Sequence, residues 1–517
     1  MTTIVRATEP TVTGTRPPVG LVAFAVVAAA AAAIPLVYLV VRAGETGLAT
    51  IIQTLSRGRV LEYAANSLGL ALAVTATALV LGTAVAVVLT RIRVPFPRSW
   101  LLLSSLPLAV PSYLAGYGWL VSFPSLSGFV PSWLLLAAVT TPYVTLPVAA
   151  ALRSATGDLE GVARSLGRGP IGAFFVATWP QVRPAAIAGS LLVALYALSD
   201  FGLVAMMRFP TLTWGINSAY AASFDRAQAA TLALLLVVMA LVVVAGERGA
   251  RRQLPRTTAR AVRPRTISRG MLVSLLPVVA AAPVVGVAVP LLGLGTRLVQ
   301  ADTLRAVDVP RLLGAIGATV GVAVAAAVLA VLLALPIAAL AARYRGRLVS
   351  AIESVGYLGH ALPGIVVGLS LVFFALAVVP ALYQSVVVLV FAYAVLFMPK
   401  AIGTMRAGLG EVPPRLIAVA RTTGASPLTA WWRVTVPLAL PSLGVGALLV
   451  AIATMKELPA TLLLRPTGIN TLATELWNRT VVFEFGAAAP YAAVLVLIAA
   501  VPAMILSGVR STAKEEL

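Results

Sequence analysis

Apolar runs long enough to cross about 30 Å of hydrocarbon, roughly 20 residues each, recur along almost the whole chain. They fall near residues 19–42, 64–90, 98–121, 131–153, 184–206 and 227–246, then 271–295, 313–341, 352–378, 382–404, 441–463 and 489–509. The pattern predicts an all-α membrane protein with about twelve transmembrane helices, because each run has the length of a spanning helix rather than of a buried strand. The first run follows Arg6 and Arg16 and so resembles a signal peptide, but about 24 residues exceeds a usual apolar h-region of roughly 7–15. It is read as a helix, which also keeps the two halves of the chain matched.

Polar positions gather in the short loops between runs. Arg91, Arg93 and Arg98 follow the second run, Arg343, Arg345 and Arg347 follow the eighth, and Arg153, Arg164, Arg168 and Arg183 lie between the fourth and fifth. All of these loops fall on one side. By the positive-inside rule that side is the cytoplasm, which places both termini there. The opposite side keeps fewer charges, among them Arg57, Arg59, Arg208, Arg297 and Arg465.

One polar pattern occurs twice. Residues 161–184 read GVARSLGRGPIGAFFVATWPQVRP and residues 418–441 read AVARTTGASPLTAWWRVTVPLALP. Without a gap they share Ala163/Ala420, Arg164/Arg421, Gly167/Gly424, Pro170/Pro427, Ala173/Ala430 and Pro180/Pro437, always 257 positions apart. Each copy predicts a helix, a sharp turn at the glycine and a second short helix starting at the proline. Paired aromatics follow, Phe174 and Phe175 in one copy and Trp431 and Trp432 in the other. Both copies lie on the cytoplasmic side, so the chain presents one surface twice, as a grip on a two-fold symmetric partner requires.

The duplication extends beyond this segment. Asn66-Ser67-Leu68-Gly69 corresponds to Ala318-Thr319-Val320-Gly321, Arg91 to Arg343 and Pro111 to Pro363, 252 positions apart; Pro142 corresponds to Pro399, Asp200 to Glu457 and Arg208 to Arg465, 257 apart. Residues 1–246 therefore form a first six-helix half with its polar loop at 156–184. Residues 271–517 form a second with its loop at 412–441. Residues 247–270, with eight arginines and two prolines, read as a solvated cytoplasmic linker lying on lipid headgroups. Two halves of the same orientation imply a pseudo-two-fold axis along the membrane normal.

The repeated segments resemble the EAA loop of permease subunits of binding-protein-dependent ABC importers. Gly161-Val162-Ala163, Gly167 and Pro180 match its pattern in the first half; Ala418-Val419-Ala420, Gly424 and Pro437 match it in the second. The resemblance implies a type I permease fold of two parallel-repeat halves in a bacterial inner membrane. It also implies that each loop is a coupling helix docked into a homodimeric cytoplasmic ATPase, with Ala163, Arg164, Gly167, Pro170, Ala420, Arg421, Gly424 and Pro427 as coupling residues. The family's glutamate is replaced by Gly161 and Ala418, so its ionic contact is missing or passes to Glu160 in the first half. ATP and Mg²⁺ belong to the partner; this chain needs no cofactor of its own.

The stretches ALSDFGLVAMMRFPTLTWGINSAY (197–220) and MKELPATLLLRPTGINTLATELW (455–477) resemble ferric-iron importer permeases, which are also double-length. Thiamine, phosphonate and polyamine importers have related permeases and remain alternatives. The resemblance implies an extracytoplasmic binding protein that hands over the cargo. Asp200, Glu457 and the neighbouring Lys456 are the candidate pathway residues. The two carboxylates stand about 17 residues, about 25 Å, beyond the cytoplasmic ends of their runs, a depth at which ionisable groups are expensive unless they face water, protein or an opposite charge. They suit a hard cation; the structural alternative pairs Asp200 with Arg208, and Glu457 with Lys456 or Arg465. His360, the single histidine, reads as packed or hydrogen-bonded near Pro363 rather than as a ligand.

Composition narrows the function further. With 60% hydrophobic and 11% charged residues the chain cannot be packed as a soluble domain, and the net charge of +21 reflects loop arginines rather than nucleic-acid binding. The absence of cysteine excludes thiolate metal sites. Three lysines, Lys400, Lys456 and Lys514, none in a Gly-Lys-Ser/Thr context, leave no phosphate-binding loop, so the chain is not expected to be an enzyme. A twelve-helix secondary transporter is the rival architecture, but its polar signature would fall between the second and third helices.

Overall fold

The computed structural model describes residues 17–155, 157–223, 225–251, 266–300 and 307–515, and every regular element among them is helical. Arg6, Arg16 and most of the 247–270 linker lie outside the described residues. Among the described residues nine helices are long and apolar enough to span a membrane, from Val19–Glu45 to Pro427–Met455. The other three expected positions differ in form. The third is a pair, Pro97–Leu108 and Ser112–Ser122, bent by 91°; the ninth and twelfth are the shorter apolar helices Gly364–Val378 and Phe485–Ala500.

Prolines set the breaks. Pro111 and Pro363 hold extended backbone (φ −61° and −58°) immediately before Ser112–Ser122 and Gly364–Val378. Proline disfavours α geometry in the residue before it, so the helix from Pro97 stops and a new one starts at an angle. A second pair of breaks corrects the expected spans 184–206 and 441–463. Those helices start earlier, at Pro170 and Pro427, and stop at Ser199 and Met455. After a turn the chain resumes as the short helices Gly202–Met206 and Pro459–Leu464. Asp200 and Glu457 thus sit in breaks, not within continuous spans.

The halves exchange their first helices. Val19–Glu45 packs on Val309–Arg343 through Ala25, Ala28, Ala29 and Ala32 against Ala327, Ala330 and Ala334, and Tyr38 meets Phe374 edge-on at 5.6 Å. In return Arg269–Leu298 packs on the first half: Trp119 Nε1 donates to the Val285 carbonyl at 2.9 Å. A Cβ at Gly118 would lie 2.3 Å from Pro290 Cα, and one at Gly293 would lie 2.3 Å from the Gly118 carbonyl oxygen. Lipid is as apolar as these side chains, so close backbone approach at small residues, rather than hydrophobic burial, holds such helices together.

Candidate functional site: a central cavity and two equivalent loops

The four breaks meet. Pro111 and Pro363, Asp200 and Glu457, with the residues around them, line one cavity of about 510 Å³ between the halves. All three candidate pathway residues, Asp200, Glu457 and Lys456, border it, as do His360 and Lys400.

Each carboxylate gives one oxygen to backbone amides. Asp200 Oδ1 accepts from the Leu203 and Val204 amides at 3.0 and 3.3 Å, and Oδ2 accepts from the Ser112 hydroxyl. Glu457 Oε1 accepts from the Ala460 amide at 3.0 Å. Each carboxylate therefore caps the short helix that follows it, satisfying amides that would otherwise lack a partner. The carbonyls of the same two residues accept from Thr213 and Thr461 hydroxyls at 2.7 and 2.8 Å. Neither arginine proposed as a pairing partner reaches them. Arg208 lies over the Phe483 ring at 5.2 Å, and Arg465 donates to Asn470.

The two caps differ in length, and their surroundings compensate. Gly364 occupies the position of Ser112, 252 residues on. A Cβ at Gly364 would lie 2.4 Å from Glu457 Oε1, so the longer carboxylate fits only because glycine leaves it room. In the first half the shorter aspartate leaves space that the Ser112 hydroxyl fills.

Lys456 Nζ donates to the Leu108 and Ala109 carbonyls at 3.3 and 3.4 Å, at the first-half break. Lys400 Nζ stands 5.5 Å from the Phe397 ring centre. Among the described residues no three His, Asp or Glu side chains come together as a metal-holding group.

The repeated loops fold alike. Gly157–Ser165 and Pro414–Thr422 are the first helices. Gly167 and Gly424 then take φ of +83° and +90°. In the first loop Gly167 N bonds Arg164 O and Arg168 N bonds Ala163 O, at 3.0 and 3.1 Å; in the second Gly424 N bonds Arg421 O and Ala425 N bonds Ala420 O, at 3.2 and 3.0 Å. This pairing is the Schellman turn, which needs a left-handed residue at the glycine position. Pro170 and Pro427 open the next helices at their first position. Those helices are not the separate short elements expected. Each passes through one π-helical turn, Phe174–Thr178 or Trp431–Thr435, into the long helix toward Asp200 or Glu457.

Glu160 points inward, and the Arg164 side chain is half-buried. Glu160 Oε2 lies 3.8 Å from Arg91 Nη1 and accepts from Thr178 at 3.2 Å; its other oxygen lies 4.0 Å from Arg164 Nε. Glu160 is thus engaged within the chain, its side chain 13% exposed. In the second half Ile417 stands in its place. Arg343, equivalent to Arg91, instead covers the Trp431 ring at 5.6 Å and donates to Thr435 at 3.2 Å. One arginine ties each loop to the end of an earlier membrane helix, Gly58–Arg91 or Val309–Arg343, by different chemistry. Ala163 packs with Ala173 and Ala177 under the turn, Ala420 is half-buried, and Arg421 is exposed.

Apart from the paired aromatics, what the loops expose was not legible in the sequence of either loop alone. Leu159, Val162, Ile171 and Phe175 are exposed in one, and Leu416, Val419, Leu428 and Trp432 in the other. Each pair is 257 positions apart. The signal was present in the alignment of the repeats, as apolar side chains kept at matching positions within a polar loop.

Residues 334–510 match the family model described as "Binding-protein-dependent transport system inner membrane component". The chain is 32% identical to the Fe(3+)-transport system permease protein FbpB 2 of Haemophilus influenzae, over 95% of this chain and 98% of that protein. The chain belongs to the ABC importer permease family. Molybdenum transport system permease protein ModB of Mycobacterium tuberculosis is 30% identical over 43% of this chain and 88% of its own length. The putrescine transport system permease protein PotI of Escherichia coli is 31% identical over 21% and 41%. The permease is thus a multi-pass inner-membrane subunit, and its family works with ATPase and binding-protein subunits.

Proposed function

We propose that this permease imports ferric iron, received from an extracytoplasmic binding protein and passed inward by alternating access. The two loops dock into the two identical clefts of a homodimeric cytoplasmic ATPase, both termini are cytoplasmic, and residues 1–246 and 271–517 are the two halves that rock about the central cavity. ATP binding closes the ATPase dimer and the cavity opens outward; hydrolysis returns it inward. The observation that carries the coupling role is the pair of equivalent apolar patches around an identical glycine turn. An exposed apolar cluster on a polar loop marks a docking surface, and its duplication fits a two-fold partner. Iron rests on the full-length likeness to the Haemophilus influenzae protein.

The test is reconstitution with the cognate ATPase and binding protein. ATP-dependent entry of ⁵⁵Fe is expected, and Phe175→Asp with Trp432→Asp should release the ATPase during purification while the permease remains in the membrane. Retention of the ATPase by that double variant would sink the docking role. Uptake of another cargo with none of iron would sink the iron reading.

A further inference from the structure

We infer that the central cavity takes its cargo as an anion, so that ferric iron crosses with anionic oxygen ligands still attached. The inference rests on the proposed importer function and adds the charge form of the cargo.

The cavity is symmetric in shape but not in charge. Its carboxylates, one from each half, are engaged as helix caps. Its basic side chains all come from the second half: His360, Lys400 and Lys456. The equivalent first-half positions, Leu108, Tyr143 and Ser199, also line the cavity and carry no charge. Two of the three lysines in the chain are here, while almost every other cation is arginine. Lysine supplies a compact charge on a flexible stem, suited to a ligand that must bind and leave.

The ammonium groups have capacity to spare. Lys456 spends donors on two carbonyls, and an ammonium carries three. Lys400 touches an aromatic face, and no carboxylate lies within ion-pairing distance of either lysine among the described residues.

Ser112–Ser122 and Gly364–Val378 begin beside the cavity, directly after the lining residues Pro111 and Pro363, and Asp200 and Glu457 lie against their first residues. Both oxygens of Asp200 and one of Glu457 are engaged by hydrogen bonds, whereas the two ammonium groups keep donors to spare. A cargo carrying net negative charge takes those donors; a bare trivalent cation is repelled by them.

The experiment uses the reconstituted complex with its ATPase and binding protein, offered ⁵⁵Fe bound to ¹⁴C-citrate, and in parallel radiolabelled molybdate. Both labels of the iron complex should enter together. Lys400→Gln and Lys456→Gln should each lower entry on the order of tenfold, as expected for a lost charged contact, and Lys456→Arg should restore most of it. Lysine-dependent entry of molybdate without iron would keep the anionic cargo and overturn iron as the metal. Entry of ⁵⁵Fe without ¹⁴C, wild-type entry in an assembled double lysine variant, or entry of neither anion would overturn the inference.

Discussion

Exchanging the lengths of the two carboxylate caps tests whether the central breaks are built as matched pairs. Gly364→Ser puts a Cβ 2.4 Å from Glu457 Oε1, about 1 Å inside ordinary contact. The carboxylate must then leave the Ala460 amide. Loss of a helix cap costs about 1 kcal/mol, and a buried group left without its partner costs about 1–3 kcal/mol more, so the single variant should lose roughly 3 kcal/mol. Adding Glu457→Asp recreates the Ser112–Asp200 pair of the first half and should recover about 2 kcal/mol of this as coupling between touching residues. The reverse exchange, Ser112→Gly with Asp200→Glu, should behave in the same way. Thermal unfolding of the purified permease in detergent reads the cycle: each single variant should drop the midpoint by roughly 5 °C, and each exchanged pair should regain more than half. Additive losses, with no recovery in either pair, would refute the compensation.

Four further outcomes follow from the loops and the interlock. Gly167→Ala and Gly424→Ala should each cost about 1–2 kcal/mol because alanine resists left-handed backbone; the proline variants, which also delete the amide bonded to Arg164 or Arg421, should abolish uptake while membrane insertion persists on fractionation. Glu160→Gln should loosen the first loop by about 1 kcal/mol, reflecting a partly buried ion pair, and protease accessibility of that loop should rise with no change in the second. Tyr117→Phe removes the 2.7 Å hydrogen bond to the Phe485 carbonyl, which should lower stability by about 1 kcal/mol in the same thermal assay. A protease site introduced between residues 252 and 265 should, once cut, leave the two halves co-purifying, since each first helix is packed into the opposite half; separation of the fragments would contradict the interlock.

The duplicated loop and the positions of the helices were legible because both leave periodic traces in the chain: apolar runs of spanning length, and a glycine–proline spacing kept at 257 residues. The helix breaks were half legible. Pro111 and Pro363 announced theirs, but those at Asp200 and Glu457 lie inside apolar runs that read as continuous, and only the side-chain caps reveal why the chain stops there. Sequence also put the two carboxylates at equivalent points without indicating their task, since a capping aspartate and a cargo-facing one are the same letter. The exchange of first helices left no local signal, because lipid-facing and partner-facing alanine cannot be told apart along one strand of sequence. Lys400 leaves no such trace: its register partner is Tyr143, and unlike Lys456 it has no carboxylate next to it in the chain to mark the position.

That mismatch locates where the two halves have different work. Positions that hold the frame retain their chemistry: the glycine turns, the prolines before the bent helices, the carboxylate caps, and Ser67 and Thr319, whose hydroxyls accept from the Leu212 and Leu472 amides at 2.8 and 2.9 Å. Even where side chains change, from Glu160 to Ile417 and from Phe174 to Trp431, an arginine, Arg91 or Arg343, still ties the loop to a membrane helix. At the cavity wall the rule reverses. Leu108, Tyr143 and Ser199 line it from the first half and His360, Lys400 and Lys456 from the second, and of these three only Lys456 bonds across to the first half, at the Leu108 and Ala109 carbonyls. In the proposed coupling a two-fold ATPase would drive both halves alike, which calls for symmetry at the loops; a single cargo has no two-fold axis, so nothing preserves symmetry at the cavity wall.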